Sequence, residues 1–409
     1  MTWGQFAYDW REGVNVERMR TERLQKARKA MKERGLTAII TMDPTNTRYL
    51  TGTATPPWMI RVPGWRYCLL VEGNDPLLYE HGDIKITTAR DCPWLKGNVK
   101  SAFVWIRGSG LPDVTEWAAK EWAEDLKKEL TARGYKKETI GIDVGEAAAV
   151  KALKNVGLDI VEGQPAMVDA RVIKTQDEIE CLRIAASISE AIFNEVQRTI
   201  RPGVRERDLV GVGSKLGWEY GLDDIIGFTV CSGIYGWPNF KYHTDRIIRP
   251  GDVVTFDNGG NAYNGYIADY YRTFSCGRPA PIFKQFYKRT YDWLYAAINA
   301  VRPGVTTKEL CEKWPTAQDF GYKSEWEAIA NQWGHGIGLS LYEPPSVTRI
   351  WSPKFPYTLK ENMCFAMETQ DGTVKDGGVR IEEMIRVTDT GHEILTKYPV
   401  DEIIECPLG

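Results

Sequence analysis

The sequence is poor in histidine, with 4 in 409 residues, and has no CxxC pair among its 8 cysteines. Four imidazoles exclude a site that needs many of them, so any bound metal must be held mainly by carboxylates. Cysteines without regular spacing give no disulfide framework; they read as reduced, mostly buried thiols, and the expected compartment is the cytoplasm. Long apolar runs are missing too. Nothing approaches the roughly 18–20 residues that span a bilayer, so no membrane association is expected. The opening stretch MTWGQFAYDWREGVNVERMR has no positive flank before an apolar core, and no secretory leader is expected. Excess charge of one sign is also absent: 52 Lys+Arg against 55 Asp+Glu leave a net charge of −3. That balance excludes a nucleic-acid footprint. What the chain does have is 43% apolar residues, enough for large cores, and 15 tryptophans. Its length implies two domains, because single cores stop growing at roughly 250–300 residues.

The first part alternates helical and strand patterns. Val16–Arg34 sets Met19, Leu24, Ala27 and Met31 at helical spacing, and Gly35 supplies a left-handed stop. Thr37–Met42 reads as a short strand, and Arg66–Val71 with Pro76–Tyr79 as a hairpin. Asp113–Arg133 brings Ala119, Trp122, Leu126 and Leu130 onto one face, and strands over Thr139–Asp143 and Asp159–Glu162 flank an Ala-rich helix. This predicts an α/β N-terminal domain over residues 1–168. Thr53–Trp65, rich in Pro, Gly and Trp, is a long loop of a kind that is often functional. Residues 169–409 form the second domain, and it contains a repeat. Arg201-Pro-Gly-Val-Arg-Glu-Arg-Asp-Leu209 recurs as Arg302-Pro-Gly-Val-Thr-Thr-Lys-Glu-Leu310, each copy following a long amphipathic helix. Two such halves predict an internal pseudo-two-fold, with a cleft between them.

Four segments of this domain collect the candidate chemistry. Gly251–Asp257 is a strand ending in a carboxylate; Asn258–Asn261 turns the chain, and Tyr263–Phe274 returns carrying Asp269. Such a hairpin aims Asp257 and Asp269 at one spot. His335 lies between Gly334 and Gly336, which would keep the imidazole accessible. Glu368 ends the apolar run Met363–Met367, and Glu382 sits in the middle of the strand Gly377–Val387. By strand alternation Glu383 faces the other way, solvated or salt-bridged. Four carboxylates embedded in apolar strands repel one another unless cations neutralise them. Two divalent ions about 3.5–4 Å apart would do so.

The order Asp257, Asp269, His335, Glu368, Glu382 resembles the ligand order of the pita-bread metallohydrolases, which include methionine aminopeptidase, prolidase, aminopeptidase P and creatinase. The matching phrases are GDVVTFD, GYIADYYRT, GHGIGLSLYEPP and GGVRIEE, and Arg171–Ile179 resembles the start of that catalytic domain. The resemblance implies a creatinase-like N-terminal domain and an α+β pita-bread catalytic domain holding two divalent metals (Mn, Fe, Co or Zn). Asp257 would chelate one metal, Asp269 and Glu382 would bridge, and His335 and Glu368 would bind the other. It further implies a hydrolase using a metal-bridging hydroxide, with Glu368 relaying its proton. Arg380 would hold a substrate carboxylate or orient a bridging group.

The phrases depart from the peptidases in two places. One accessory histidine position falls on Phe240, with His243 offset from it; the other is Tyr342 in Tyr342-Glu343-Pro344. The spacing from Asp257 to Asp269 is also one residue longer than is usual there. These departures resemble the dimethylsulfoniopropionate lyases of the same fold, and they make Tyr342 a candidate catalytic and substrate-binding residue. Trp58, Trp65, Trp237 and Trp333 lie in loops or beside ligand segments, where aromatic faces attract quaternary cations. The leading expectation is thus a dinuclear hydrolase of a small amide or Xaa-Pro-like dipeptide. The alternatives are a metal-dependent lyase or creatinase-type hydrolase of a small zwitterion, and then an inactive binding module. By resemblance to the creatinase branch, a homodimer would set the Thr53–Trp65 loop over the partner's site, with Trp58 and Arg61 facing substrate.

Overall fold

A computed structural model describes residues 13–60, 64–104, 111–135, 139–238, 242–328 and 332–409, with the side chains of Gln332 and Trp333 outside the described part. The chain clusters into two compact units, Val16–Arg171 and Val172–Gly409, the second also taking Asn15. The sequence placed that junction a few residues earlier.

In the N-terminal unit, α1 (Val16–Glu33) ends before Gly35, whose φ of 68° is the left-handed stop. The strands β1 (Ala38–Thr41), β2 (Tyr67–Val71), β3 (Leu77–Glu80), β4 (Val99–Ser101), β5 (Thr139–Ile142) and β6 (Asp159–Glu162) form one sheet ordered β4-β3-β2-β1-β5-β6. β1, β5 and β6 run parallel, and β2 pairs antiparallel with β1 and β3. The helices α2 (Pro44–Thr51), α3 (Ile84–Asp91), α4 (Pro112–Ala132), α5 (Ala147–Asn155) and α6 (Gln164–Val172) connect and follow these strands. Trp122, Leu126 and Leu130 of α4 pack on Tyr67 and Tyr79, which stack at 4.4 Å. β1 and β2 are buried at every position, as continuous apolar runs in a covered sheet should be.

Asp143, just past β5, holds the β1–α2 corner together. Its carboxylate accepts from Met42 N at 2.8 Å, Val144 N at 2.6 Å, Asp43 N at 3.2 Å and Asn46 Nδ2 at 2.7 Å. Each buried donor left unpaired costs about 1–3 kcal/mol. Asp143→Ala is therefore expected to lower the urea midpoint by an amount equivalent to about 2–5 kcal/mol. An unchanged midpoint would show that water takes over these bonds.

In the C-terminal unit, α7 (Gln176–Thr199) begins at Thr175, where Glu178 N donates to Thr175 Oγ1 at 3.3 Å and Thr175 N to Glu178 Oε2 at 2.7 Å. It is followed by α8 (Glu206–Glu219), β7 (Asp224–Ile225), β8 (Thr229–Ser232), β9 (Val253–Asp257), β10 (Asn261–Tyr263), β11 (Tyr266–Ala268) and β12 (Tyr271–Cys276). The second half contains α9 (Pro281–Ile298), α10 (Thr307–Cys311), β13 (Gln332–Gly336), β14 (Glu343–Val347), β15 (Cys364–Thr373), β16 (Gly377–Val387), β17 (His392–Ile394) and β18 (Ile404–Cys406). These strands make three sheets, ordered β11-β10-β7, β18-β12-β9-β8 and β14-β13-β15-β16-β17. No helix among the described residues is long and apolar enough to cross a membrane.

The repeated phrase folds twice in the same way. Gly203 N donates to Ile248 O, Glu206 N to Arg246 O, and Ile248 N to Val204 O; Gly304 N donates to Leu359 O, Thr307 N to Tyr357 O, and Leu359 N to Val305 O. The strand pairs that follow close alike. Gly251 N and Cys276 N bond Cys276 O and Asp252 O, and Asn362 N and Val387 N bond Val387 O and Met363 O. Counted from those closing pairs, Asp257 corresponds to Glu368, and its cross-strand partner Tyr271 corresponds to Glu382.

One expectation is corrected here. The tight turn lies at Asn264-Gly265, with φ of 49° and 81°, and not at 258–261. Both residues in the left-handed region make the two-residue turn that suits strand twist. β10 and β11 form this inner hairpin in a sheet with β7, while β12 returns to pair with β9.

Candidate metal centre

Strand alternation divides β15 and β16 into two faces. Phe365, Met367, Val379, Ile381 and Ile385 pack in one core with Phe286, Leu294 and Ile298 of α9. The other face carries Glu368 and Glu382 as directly opposed partners. His335 enters from β13, where its partner on β15 is Ala366, so it shares that charged face. Glu383 lies on the α9 side as expected, and of the two expected states it is the salt-bridged one, fully buried: Arg272 Nη2 donates to it at 3.0 Å and Tyr295 Oη at 3.0 Å.

Asp257 ends β9, and Asp269 lies in the link from β11 to β12. A side chain at Gly259 would meet both oxygens of Asp257 at 2.9 Å and Asp269 Oδ1 at 3.0 Å. Glycine at 259 thus leaves the two carboxylates room to converge. Asp269, His335 and Glu382 offer ligand atoms all within 4.8 Å of one another, and all three residues are buried. His335 Nε2 is 3.3 Å from Asp269 Oδ2, and Nδ1 is 3.3 Å from Gly336 O. Nδ1 is placed to donate to the Gly336 carbonyl, which leaves Nε2 turned to the cluster: it donates to Asp269 when the ring is protonated and is a free ligand atom when the ring is neutral.

Asp257 Oδ1 and both oxygens of Glu382 are buried without a hydrogen-bond partner. Burial first, and the charge of Asp269 next, push the Asp257 and Glu382 carboxyls well above the usual range. Burial, the largest single influence, lowers His335, but its bond to Asp269 together with the charges of Asp269 and Glu368 more than offset it, and the imidazole is raised. Orphaned anionic oxygens around one imidazole, in a pocket kept open by Gly259, fit divalent cations.

Arg380 is already engaged. Its Nε donates to Glu368 Oε2 at 2.9 Å, Nη2 bonds the same oxygen, and its Cζ lies 4.3 Å over the Tyr271 ring. This arrangement ties the guanidinium to Glu368 and Tyr271. The glycines around His335 also act differently from the expected exposure. His335 is buried, and a side chain at Gly336 would meet Pro344 O at 2.2 Å and Glu343 O at 2.5 Å. Gly336 admits the backbone of β14. Tyr342 places its ring 4.5 Å from that of His335 and stays 64% exposed. Burial of its hydroxyl, then Glu368 and Asp269, raise its phenol above the ordinary value, so it stays a donor.

Trp58 and Trp65 belong to the N-terminal unit and pack on His81, with ring centroids 5.6 and 4.6 Å away. Arg61 and Phe240 are outside the described residues, as is the Trp333 side chain, although its backbone pairs with Glu368. Trp237 is buried against Phe320 at 6.0 Å and so is taken up in packing. His243 is half-buried, and its Nδ1 has no hydrogen-bond partner among the described residues. Sequence reasoning missed Tyr271, whose hydroxyl bonds Asp257; its position two residues after Asp269 was the available signal. It also missed the buried pair Lys174–Glu343, at 2.9 Å, which secures β14 and for which no local signal exists.

Comparison with known proteins agrees with this geometry. Residues 180–389 match the model of metallopeptidase family M24, and residues 23–173 match the creatinase/prolidase N-terminal domain. An Xaa-Pro dipeptidase of Pyrococcus furiosus is 28% identical over 383 residues, covering 92% of this chain and 98% of that protein. The dimethylsulfoniopropionate lyase DddP of Roseovarius nubinhibens is 24% identical over 404 residues, covering 95% and 87%. A recombinant prolidase structure from Thermococcus sibiricus superposes with a TM-score of 0.76 at 22% identity, over 94% of this chain and 99% of that one. The chain belongs to metallopeptidase family M24, with a creatinase-type α/β N-terminal domain and a pita-bread catalytic domain.

Proposed function

We propose that this protein is a metal-dependent hydrolase of a small amide or Xaa-Pro-like dipeptide, working at a centre of two divalent cations. The observation that carries the reading is the convergence of Asp269, His335 and Glu382, with orphaned oxygens on Glu382 and on neighbouring Asp257. Asp257, Asp269 and Glu382 would hold one cation, and Asp269, Glu382, His335 and Glu368 the other. Cations bound there supply Lewis-acid polarisation of a carbonyl and acidify water at neutral pH. Glu368, oriented by Arg380, takes the proton from the attacking water and passes it to the leaving amine. Tyr342, a protonated phenol, donates to charge developing on the scissile oxygen. Such donors act best where their positions are fixed in advance, and the tilted contact with the His335 ring restrains Tyr342 on one side.

A second reading, elimination from a small zwitterion, is favoured by Tyr342 standing beside His335 and by the likeness to the lyase DddP. Metal analysis with a substrate panel tests both. Protein loaded with Mn, Co, Zn or Fe is expected to carry two ions per chain and to cleave Xaa-Pro dipeptides, with Asp269→Ala abolishing turnover. Turnover of sulfonium or betaine compounds alone would favour the second reading. Full activity in Asp269→Ala would sink both.

A further inference from the structure

Tyr271 has no part in the chemistry above, yet it touches both halves of the centre. Its cross-strand partner is Asp257, and its hydroxyl bonds the Asp257 carboxylate, whose Oδ1 is left without a partner. Its ring lies 4.3 Å beneath Arg380, which in turn bonds Glu368 Oε2. Tyr271 and Arg380 are both buried, so neither side chain is free to swing into solvent. In the second strand pair the corresponding position is Glu382, a carboxylate aimed into the cluster. A neutral phenol thus stands where the pseudo-two-fold would otherwise add a fifth anion.

We infer that Tyr271 is a positioning residue that couples the two halves of the centre. Its O–H sets the rotation of Asp257 so that Oδ1 faces the cluster. Its ring sets Arg380, and through it the orientation of Glu368. This role rests on the metal-dependent reading above. Groups that orient metal-binding carboxylates change affinity by about 10- to 100-fold when removed. A phenol that merely filled space would leave affinity unchanged when its hydroxyl was deleted.

The test uses the full chain, stripped of metal and titrated with Mn²⁺ and Co²⁺ by calorimetry, alongside the visible spectrum of the Co²⁺ form. Tyr271→Phe keeps the ring under Arg380 and loses only the O–H. It is expected to weaken cation binding by about 10-fold or more, to shift the Co²⁺ spectrum, and to lower kcat more than it raises KM. Tyr271→Leu removes the ring as well and is expected to weaken binding further. The melting temperature of the metal-free Tyr271→Phe protein serves as the folding control. Wild-type affinity together with a wild-type spectrum in Tyr271→Phe would overturn the role of Tyr271 alone. A wild-type protein that takes up no divalent cation would overturn the metal reading, and this inference with it.

Discussion

Glu382→Gln is expected to raise the melting temperature of the metal-free protein and, at the same time, to abolish its stabilisation by divalent cations. Glu382 is fully buried, both its oxygens lack partners, and it faces Glu368 directly across the strand pair. Like charges 4 Å apart repel by about 4 kcal/mol at an effective dielectric of 20. An amide of the same shape removes one of the anions and can donate to the carboxylates that remain. Burial and Asp269 raise the Asp257 and Glu382 carboxyls, so the folded protein holds protons that the unfolded chain gives up above about pH 4. Metal-free wild type should therefore lose stability as pH climbs from there through the raised values, and the variant should lose less. Cations in excess should reverse the order: at 100 times Kd they add about 2.7 kcal/mol to a protein that binds them. Melting curves with chelator and with Mn²⁺, across pH, provide the measurement. A Gln variant that is still stabilised by Mn²⁺ would remove Glu382 from the ligand set.

Lys174→Met should destabilise the protein by about 3–5 kcal/mol, because it strands a buried carboxylate. Lys174 Nζ donates to Glu343 Oε2 at 2.9 Å, and both side chains are sealed from solvent at 1% exposure. Glu343 also accepts from Ser340 N at 3.3 Å, and any side chain at Gly338 would strike its carboxylate at 2.9 Å. The pair therefore holds the chain between His335 and Tyr342 in shape. Lys174→Met combined with Glu343→Leu replaces the ion pair by apolar groups and is expected to recover most of the stability. It should not recover activity, since the segment carrying Tyr342 loses its anchor. A double variant with full activity would reduce the pair to a purely structural role.

Much of the site was legible because it is written in periodicities. Alternation in Gly377–Val387 assigned Glu382 and Glu383 to opposite faces. The repeated Arg-Pro-Gly-Val phrase marked two halves whose hydrogen bonds do correspond. Reading failed where several local signals competed or where partners are far apart in the chain. Asn258-Gly259-Gly260 looked like the turn, yet Asn264-Gly265 is flanked by Tyr263 and Tyr266, which pair. Gly259 instead makes room for two carboxylates, a role visible only in three dimensions. Lys174 and Glu343 were hidden for a different reason: each looks like an ordinary charge until the fold brings them together. Trp237, an aromatic beside a ligand segment, is buried against Phe320, a partner 83 positions on that no local pattern announces.

The two faces of β15 and β16 have a further consequence. Sliding β16 by a single residue against β15 would send Glu382 toward α9 and bring Ile381 among the carboxylates. A chain assembled in that wrong frame would bury anions in an apolar layer and offer no place for a cation. It would be both inactive and unstable, and so open to removal by cellular quality control. The apolar layer on α9 therefore acts as a check on the reaction centre. Molecules that pass as folded are the ones whose carboxylates already face the right way.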